Sequence, residues 1–289
     1  MNNNRLAINK VHDIPLSEVS GLGQRRVPGN KHQILAVGDR KFEVVVVHPS
    51  DGEDWHYETI ALGSVLKDAD AEKSSEWEAA DSDTTGRVFM LQESPGRIYV
   101  ADRDLKHIEC VIELTLDEDQ RRELNWDADS NARAEGLVLL RNGHVLIAKE
   151  KEPPLFLEFG ARGEDAQGVQ PDLLFGSIGE FPLPQEQKVS FELLKTWSLD
   201  KGSGITDISD MAAAPNAGLY LLSDESRCIA RAETNLSHEE TQLSVREMWE
   251  LPEELEQPEG LVIRDGMVPL VAIDRDEQAE NLFVMEPLT

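Results

Sequence analysis

Glu135-Gly136-Leu137-Val138-Leu139-Leu140-Arg141-Asn142-Gly143-His144-Val145-Leu146-Ile147-Ala148-Lys149-Glu150 is an apolar run, a polar Asn-Gly turn, a second apolar run and a closing acid. Two short apolar runs flanking an Asn-Gly pair read as an antiparallel hairpin. The opening element, a Ser or Glu followed by a small and then an apolar residue, recurs along the chain. It appears as Ser20-Gly21-Leu22, Glu78-Ala79-Ala80, Ser209-Asp210-Met211 and Glu259-Gly260-Leu261. Each copy leads to a second strand: Ile34–Val37, Val88–Leu91, Leu219–Leu222 and Pro269–Ile273. Third strands follow at Arg97–Val100, Leu155–Glu158 and Asn281–Val284, and fourth strands at Trp55–Ile60, Cys110–Leu114, Phe191–Leu194 and Arg246–Trp249.

Four short antiparallel strands, repeated about every 50–75 residues, predict an all-β chain folded as a β-propeller. One four-stranded sheet cannot bury both faces, so neighbours stack around an axis. Five motif copies predict five blades; a sixth requires that the Gly/Pro-rich stretch 161–187 hide one, and otherwise that stretch is a loop insertion in a single domain spanning 1–289. The last unit offers three strands, and Leu6-Ala7-Ile8 is expected to supply the fourth, closing the ring and removing an exposed sheet edge. Helical periodicity is confined to Asp117–Leu124, expected as a short helix between blades.

The acids recur as regularly as the strands. Glu93, Glu150, Asp224 and Asp274 each stand fifteen residues after Glu78, Glu135, Ser209 and Glu259, and Asp39 follows Ser20 after a longer turn. In an antiparallel pair the first strand begins where the second ends. Glu78, Glu135 and Glu259 should therefore share one mouth with Asp39, Glu93, Glu150, Asp224 and Asp274, the first three nearest the axis. Converging carboxylates repel unless protonated, paired or bridged by a cation. Three readings stand side by side: a cation site, for which hard oxygen donors suit Ca²⁺; a mouth neutralised by Arg103, Arg133, Lys149, Lys151, Arg227 and Arg275; or turns that simply meet water.

Composition narrows the partners. With 28 Lys and Arg against 56 Asp and Glu, the 289-residue chain carries a formal charge of −28. That repels nucleic-acid phosphates and anionic lipid, so neither is expected as a partner, and it favours cations, a small-molecule ligand or a basic protein; high solubility alone would also account for it. The two cysteines, Cys110 and Cys228, form no framework, the N-terminus lacks the apolar core of a secretory signal, and no apolar run approaches 20 residues. Cytoplasmic residence is expected unless a leader was trimmed.

Ser17-Glu18-Val19-Ser20-Gly21-Leu22, Ala134–Leu137, Ala148–Pro153, Leu222–Arg227 and the run from Pro258-Glu259-Gly260-Leu261 to Asn281-Leu282-Phe283 resemble the SdiA-regulated propeller family, which is related to the esterase-like phytase propellers. The resemblance covers nearly the whole chain. It implies a propeller fold and a calcium site and, more distantly, hydrolysis. The fourth motif departs from it, with Asp210 where the family places Gly. Members are often exported or membrane-tethered, and this chain shows neither signal.

Weaker motifs add little. Asp127-Ala128-Asp129-Ser130-Asn131 imitates the start of a calcium loop but has Ala132 at the sixth place and Val138 at the twelfth. Asp81–Gly86 reads as a plain hairpin turn, and His107-Ile108-Glu109 falls on an outer strand. Ser203 reads as loop, and no nucleophile elbow or Walker loop is present. Two functions remain: a rigid scaffold that binds calcium and presents its acidic mouth to a ligand or partner, or a calcium-dependent hydrolase of an ester, lactone or phosphoester. In the second, Glu78, Glu135 or Glu259 would ligate the ion or act as base, with Lys149 or Arg133 steadying an anionic substrate.

Overall fold

The computed structural model describes residues 4–25, 27, 33–50, 54–66, 74–127, 133–174, 180–216, 218–234, 239–276 and 278–289. Two short strands open the chain, β1 (Asn4–Arg5) and β2 (Ile8–His12). The first full sheet follows as β3 (Val19–Arg25), β4 (Gln33–Gly38), β5 (Glu43–His48) and β6 (His56–Ala61), paired antiparallel in that order. The second is β7 (Trp77–Ser82), β8 (Val88–Gln92), β9 (Arg97–Ala101) and β10 (Ile108–Thr115). Helix α1 (Glu118–Glu123) comes next, capped by Asp117 in a capping box with Gln120.

The third sheet comprises β11 (Gly136–Leu139), β12 (Val145–Lys149), β13 (Leu155–Ala161) and β14 (Lys188–Leu199), with helix α2 (Pro171–Leu174) in the connection before β14. The first part of β14 also pairs in parallel with β10, tying the second and third sheets together at their outer edges. The fourth sheet is β15 (Asp210–Ala213), β16 (Leu219–Ser223), β17 (Cys228–Ala232) and, after the two-residue β18 (Gln242–Leu243), β19 (Val245–Glu250). The fifth begins with β20 (Pro258–Arg264), β21 (Val268–Ile273) and β22 (Leu282–Met285), and β2 completes it by pairing antiparallel with β22.

The chain start therefore behaves differently from the Leu6–Ile8 strand expected. Leu6 is buried among Tyr220, Trp249 and Phe283, its N–H donates to Glu250 O, and the edge strand begins only at Ile8. An apolar residue at the crossing from β1, which pairs in parallel with β19, to β2 is worth more in the core between two sheets than on an edge. Between Ala161 and Lys188 the described residues hold α2 but no strand.

The inner strands touch in a cycle: β3 with β7, β7 with β11, β11 with β15, β15 with β20, and β20 with β3. The apolar core divides in the same way into five clusters, each shared by two neighbouring sheets. Phe89 and Ile98 of the second sheet meet Ile147 and Phe159 of the third, and Leu22 and Val45 of the first meet Val262 and Leu270 of the fifth. This is why the strands read as nearly continuous Val/Ile/Leu runs: both faces of each sheet are covered, as the burial of all of Gln33–Gly38 and Val88–Gln92 records.

Candidate functional site: an acid-lined cup

Each inner strand enters through an irregular step at its motif residue. In the first, second and fifth sheets the register slips between Val19 and Gly21, Trp77 and Ala79, and Pro258 and Gly260, leaving Ser20, Glu78 and Glu259 as the extra residue of a β-bulge. In the third and fourth sheets the motif residue stands just before the strand, and Glu135 and Ser209 donate their N–H to Ala148 O (3.0 Å) and Leu222 O (2.9 Å), the residues already opposite Gly136 and Asp210. A bulge re-aims its extra side chain out of the pleat alternation; here it turns the motif side chains toward the axis.

The small residue after each motif acid has a steric cause. A Cβ on Gly21 would stand 2.2 Å from Glu78 O, and one on Gly136 or Gly260 would meet the Met211 or Leu22 backbone N at 3.0 and 3.1 Å. The inner strands close on one another at this level. Asp210 replaces the glycine by turning the crowding to use: its fully buried carboxylate accepts from Met211 N–H and Leu261 N–H, each at 2.7 Å, and from Leu22 N–H, clasping the fourth, fifth and first sheets. Asp81 does likewise for Leu139 N–H at 3.3 Å.

Around the bulges a cavity of about 520 Å³ opens, lined by Ser20, Asp39, Ser74, Glu76, Glu78, Glu93, Ser94, Glu135, Glu150, Glu259 and Asp274. All seven residues expected as metal ligands, Asp39, Glu78, Glu93, Glu135, Glu150, Glu259 and Asp274, are among them. Glu76 was not foreseen; it stands two residues before Glu78 in the left-handed region (φ 49°), and its N–H donates to Asp39 O of the preceding sheet. The repeat itself held the signal, since Glu18 and Gln257 share that conformation two residues before Ser20 and Glu259.

Asp224, Lys149 and Arg133 do not line the cavity. Asp224 sits in a turn organised by the buried Asp207, and its charge is felt at Glu259. The Lys149 side chain is buried, with Nζ donating to Lys151 O. Arg133 gives its backbone N–H to Glu93 (3.0 Å) and its guanidinium to Trp126 O (3.0 Å) and the Ser94 hydroxyl (3.4 Å). Among the other bases at these turns, Lys151 reaches Glu150 at 2.9 Å, whereas Arg227 turns to Pro252 O and Arg275 to Ala279 O. The cup is lined by eight carboxylates and three serines, with no basic or aromatic side chain among the described residues.

Burial and mutual repulsion govern these acids. Desolvation is the largest influence on each, followed for the innermost by like charge. Glu78 is pushed up to about 8 by burial and by Glu93 and Asp39, against a hydrogen bond from Ser20. Glu93 is pushed up to about 7, held down partly by Arg133. Glu135 and Glu259 stand well above the usual carboxylate range, and Asp39, Glu150 and Asp274 are raised as well. Glu135 is only 8% exposed and takes part in no hydrogen bond or ion pair among the described residues beyond its backbone N–H. One carboxylate oxygen each of Asp39 and Asp274 is buried without a partner.

No three His, Cys, Asp or Glu side chains among the described residues are gathered so that they could hold one metal ion together. The donor set is all oxygen, which fits a hard cation; the spread means that at most two of these carboxylates would touch such an ion, with water completing its shell. Of the calcium-loop imitation only Asp127 lies within the described residues, where it pairs with Arg121 at 3.0 Å.

At the other end of the sheets, Asp81–Gly86 is more than the plain turn expected. Asp83 is fully buried, pairs with Arg87 (2.6 Å) and accepts from Phe181 N–H (3.0 Å), while Arg87 donates to Phe181 O (2.6 Å). Residues nearly a hundred positions apart are stapled there, which no local reading supplies.

Cyclically packed four-stranded sheets around an acid-lined axial cup define a propeller-type fold. The chain belongs to the SdiA-regulated family, whose model matches residues 56–268. No curated protein sequence matches it. Among solved structures it is similar to the glutaminyl cyclase of Myxococcus xanthus, at 11% identity with a TM-score of 0.55, covering 99% of this chain and 98% of that one. At this identity the likeness speaks for the fold alone. The PQQ-bound aldose sugar dehydrogenase of Streptomyces coelicolor (10% identity, 97% of each chain) and a streptogramin B lyase (9%, 96% of each) follow, both at a TM-score of 0.48, too low to add to the assignment. No helix among the described residues is long and apolar enough to cross a membrane.

Proposed function

We propose that this chain is a single five-bladed propeller, closed by β2, that binds a cation in its axial cup and serves as a scaffold for a ligand or a basic protein partner. The five core clusters and the cycle of inner strands support the blade count. The observation that carries the function is the lining itself: eight carboxylates and no base among the described residues, with Glu135 buried and unpaired among them. Such a site is costly without a positive guest.

Among ions, calcium is the expected occupant, because only oxygen donors face the cup and Ca²⁺ accepts water alongside one or two carboxylates. Glu78, Glu135 and Glu259 would face it from the starts of the inner strands, with Asp39, Glu93, Glu150 and Asp274 around them. The hydrolytic reading has less behind it, since no basic side chain in the lining could steady the negative charge of a phosphoester or an opening ester. The charge of −28 disfavours nucleic acid and anionic membrane as partners. Two buried, unjoined cysteines on separate sheets suit a reduced, cytoplasmic setting.

Native mass spectrometry before and after chelation tests the ion, and thermal melting with added calcium tests its linkage to folding. One bound calcium that chelation removes, with a higher Tm on addition, is expected. A melting curve indifferent to every cation would refute cation binding in the cup.

A further inference from the structure

Resting on the reading of the cup as a cation site, we propose that its physiological guest is a linear aliphatic polyamine whose ammonium groups pair with carboxylates from different blades. Three observations point to it. The first is size. A calcium with six to eight oxygens, at about 30 Å³ per water, fills about 200 Å³, whereas the cup offers about 520 Å³. That lies within the ~300–1,000 Å³ range of small-molecule sites.

The second is the distribution of charge. The acids do not gather in threes around a point. They come from the strand ends of four sheets: Asp39 from the first, Glu76, Glu78 and Glu93 from the second, Glu135 and Glu150 from the third, and Glu259 and Asp274 from the fifth. Charges spread around a ring are matched by a guest with several spaced positive centres better than by one ion. Glu135, nine-tenths buried, lining the cup and without a side-chain hydrogen-bond partner among the described residues, is an acceptor awaiting an N–H donor.

The third is the chemistry of the walls. Quaternary ammonium groups are recognised by aromatic faces, and no aromatic side chain lines this cup among the described residues. Ser20, Ser74 and Ser94 stand there instead, so the lining consists of hydrogen-bond acceptors and hydroxyls. That selects primary and secondary ammonium groups, which donate two or three N–H, over quaternary ones, which have none.

The test is isothermal titration calorimetry of the full chain in about 0.15 M salt with spermidine, calcium and choline in turn. Spermidine should bind one to one, calcium should compete with it, and choline should not. Glu135→Gln and Glu259→Gln should each weaken spermidine tenfold or more, while Glu118→Gln on the exposed face of α1 leaves it unchanged. If either cup variant fails to fold, the other carries the comparison. Many weak sites insensitive to both cup substitutions would mean surface condensation and overturn the proposal, as would choline binding as tightly as spermidine. One-to-one calcium binding without spermidine binding would overturn it and leave the cation cup standing; binding of neither would bring down both.

Discussion

Raising the pH should weaken this fold through Glu78, and Glu78→Gln should abolish that part of the loss. The carboxyl is pushed from 4.5 to about 8 by burial and by Glu93 and Asp39. Between those values the folded chain holds a proton that the unfolded chain has released, so stability falls as pH rises through the window and levels off above it. At about 1.4 kcal/mol per pH unit, the loss between pH 5 and pH 8 is on the order of 4 kcal/mol for this group. Glutamine copies the neutral acid in shape and keeps an acceptor for the Ser20 hydroxyl. Wild type and variant should therefore be nearly equal at pH 5, and the variant more stable by several kcal/mol at pH 8.5. Urea unfolding followed by tryptophan fluorescence reads this directly, since Trp77, adjacent to Glu78, is fully buried. A wild type that gains stability from pH 5 to 8.5, or a variant that loses as much as wild type, would refute the claim that burial and the neighbouring Glu93 and Asp39 hold Glu78 protonated in the folded chain.

Other sites make separate demands. His144 lies between two acids, with Nδ1 2.6 Å from Glu158 and Nε2 2.9 Å from Glu164; burial works to lower its pKa, but the two carboxylates raise it overall. Its stabilising charge is complete below pH 6.5 and is lost as pH rises through the raised value, so limited proteolysis of residues 162–170 should accelerate at alkaline pH, and His144→Ala should make it fast at every pH. Arg87→Ala strands the fully buried Asp83 and should cost about 3–5 kcal/mol in urea unfolding, whereas an unchanged midpoint would mean that the staple to Phe181 contributes nothing. Asp210→Gly restores the glycine of the other motifs yet leaves Leu261 and Met211 N–H groups without their acceptor, so it should destabilise by about 1–3 kcal/mol per group; a neutral or stabilising result would show that the clasp is dispensable.

The chain by itself determined the strands, the pairing within each unit and the gathering of seven acids at one end. Those follow from spacing, because a hairpin fixes its own register and a fifteen-residue offset puts Glu78 beside Glu93 and Glu259 beside Asp274 whatever the rest of the fold does. The acidic-then-basic run Asp117–Leu124 likewise announced α1. What the tertiary structure alone decided lies between units. Whether Arg133 and Lys149 would neutralise the mouth depended on side-chain directions that charge counts do not contain: Lys149 turned to the Lys151 carbonyl, and Arg133 divides between Trp126 O, the Ser94 hydroxyl and, through its backbone N–H, Glu93. Asp210 looked like a broken motif until Leu22 and Leu261, far off in sequence, supplied the N–H groups that explain it. Asp83 passed for a turn residue because its partner across the connection, Phe181, is brought back only by the docking of the segment before β14. The unusual proton affinities of Glu78, Glu135 and Glu259 arise from burial and from one another's fields, which fall steeply with distance and exist only once separate sheets have closed around a common axis.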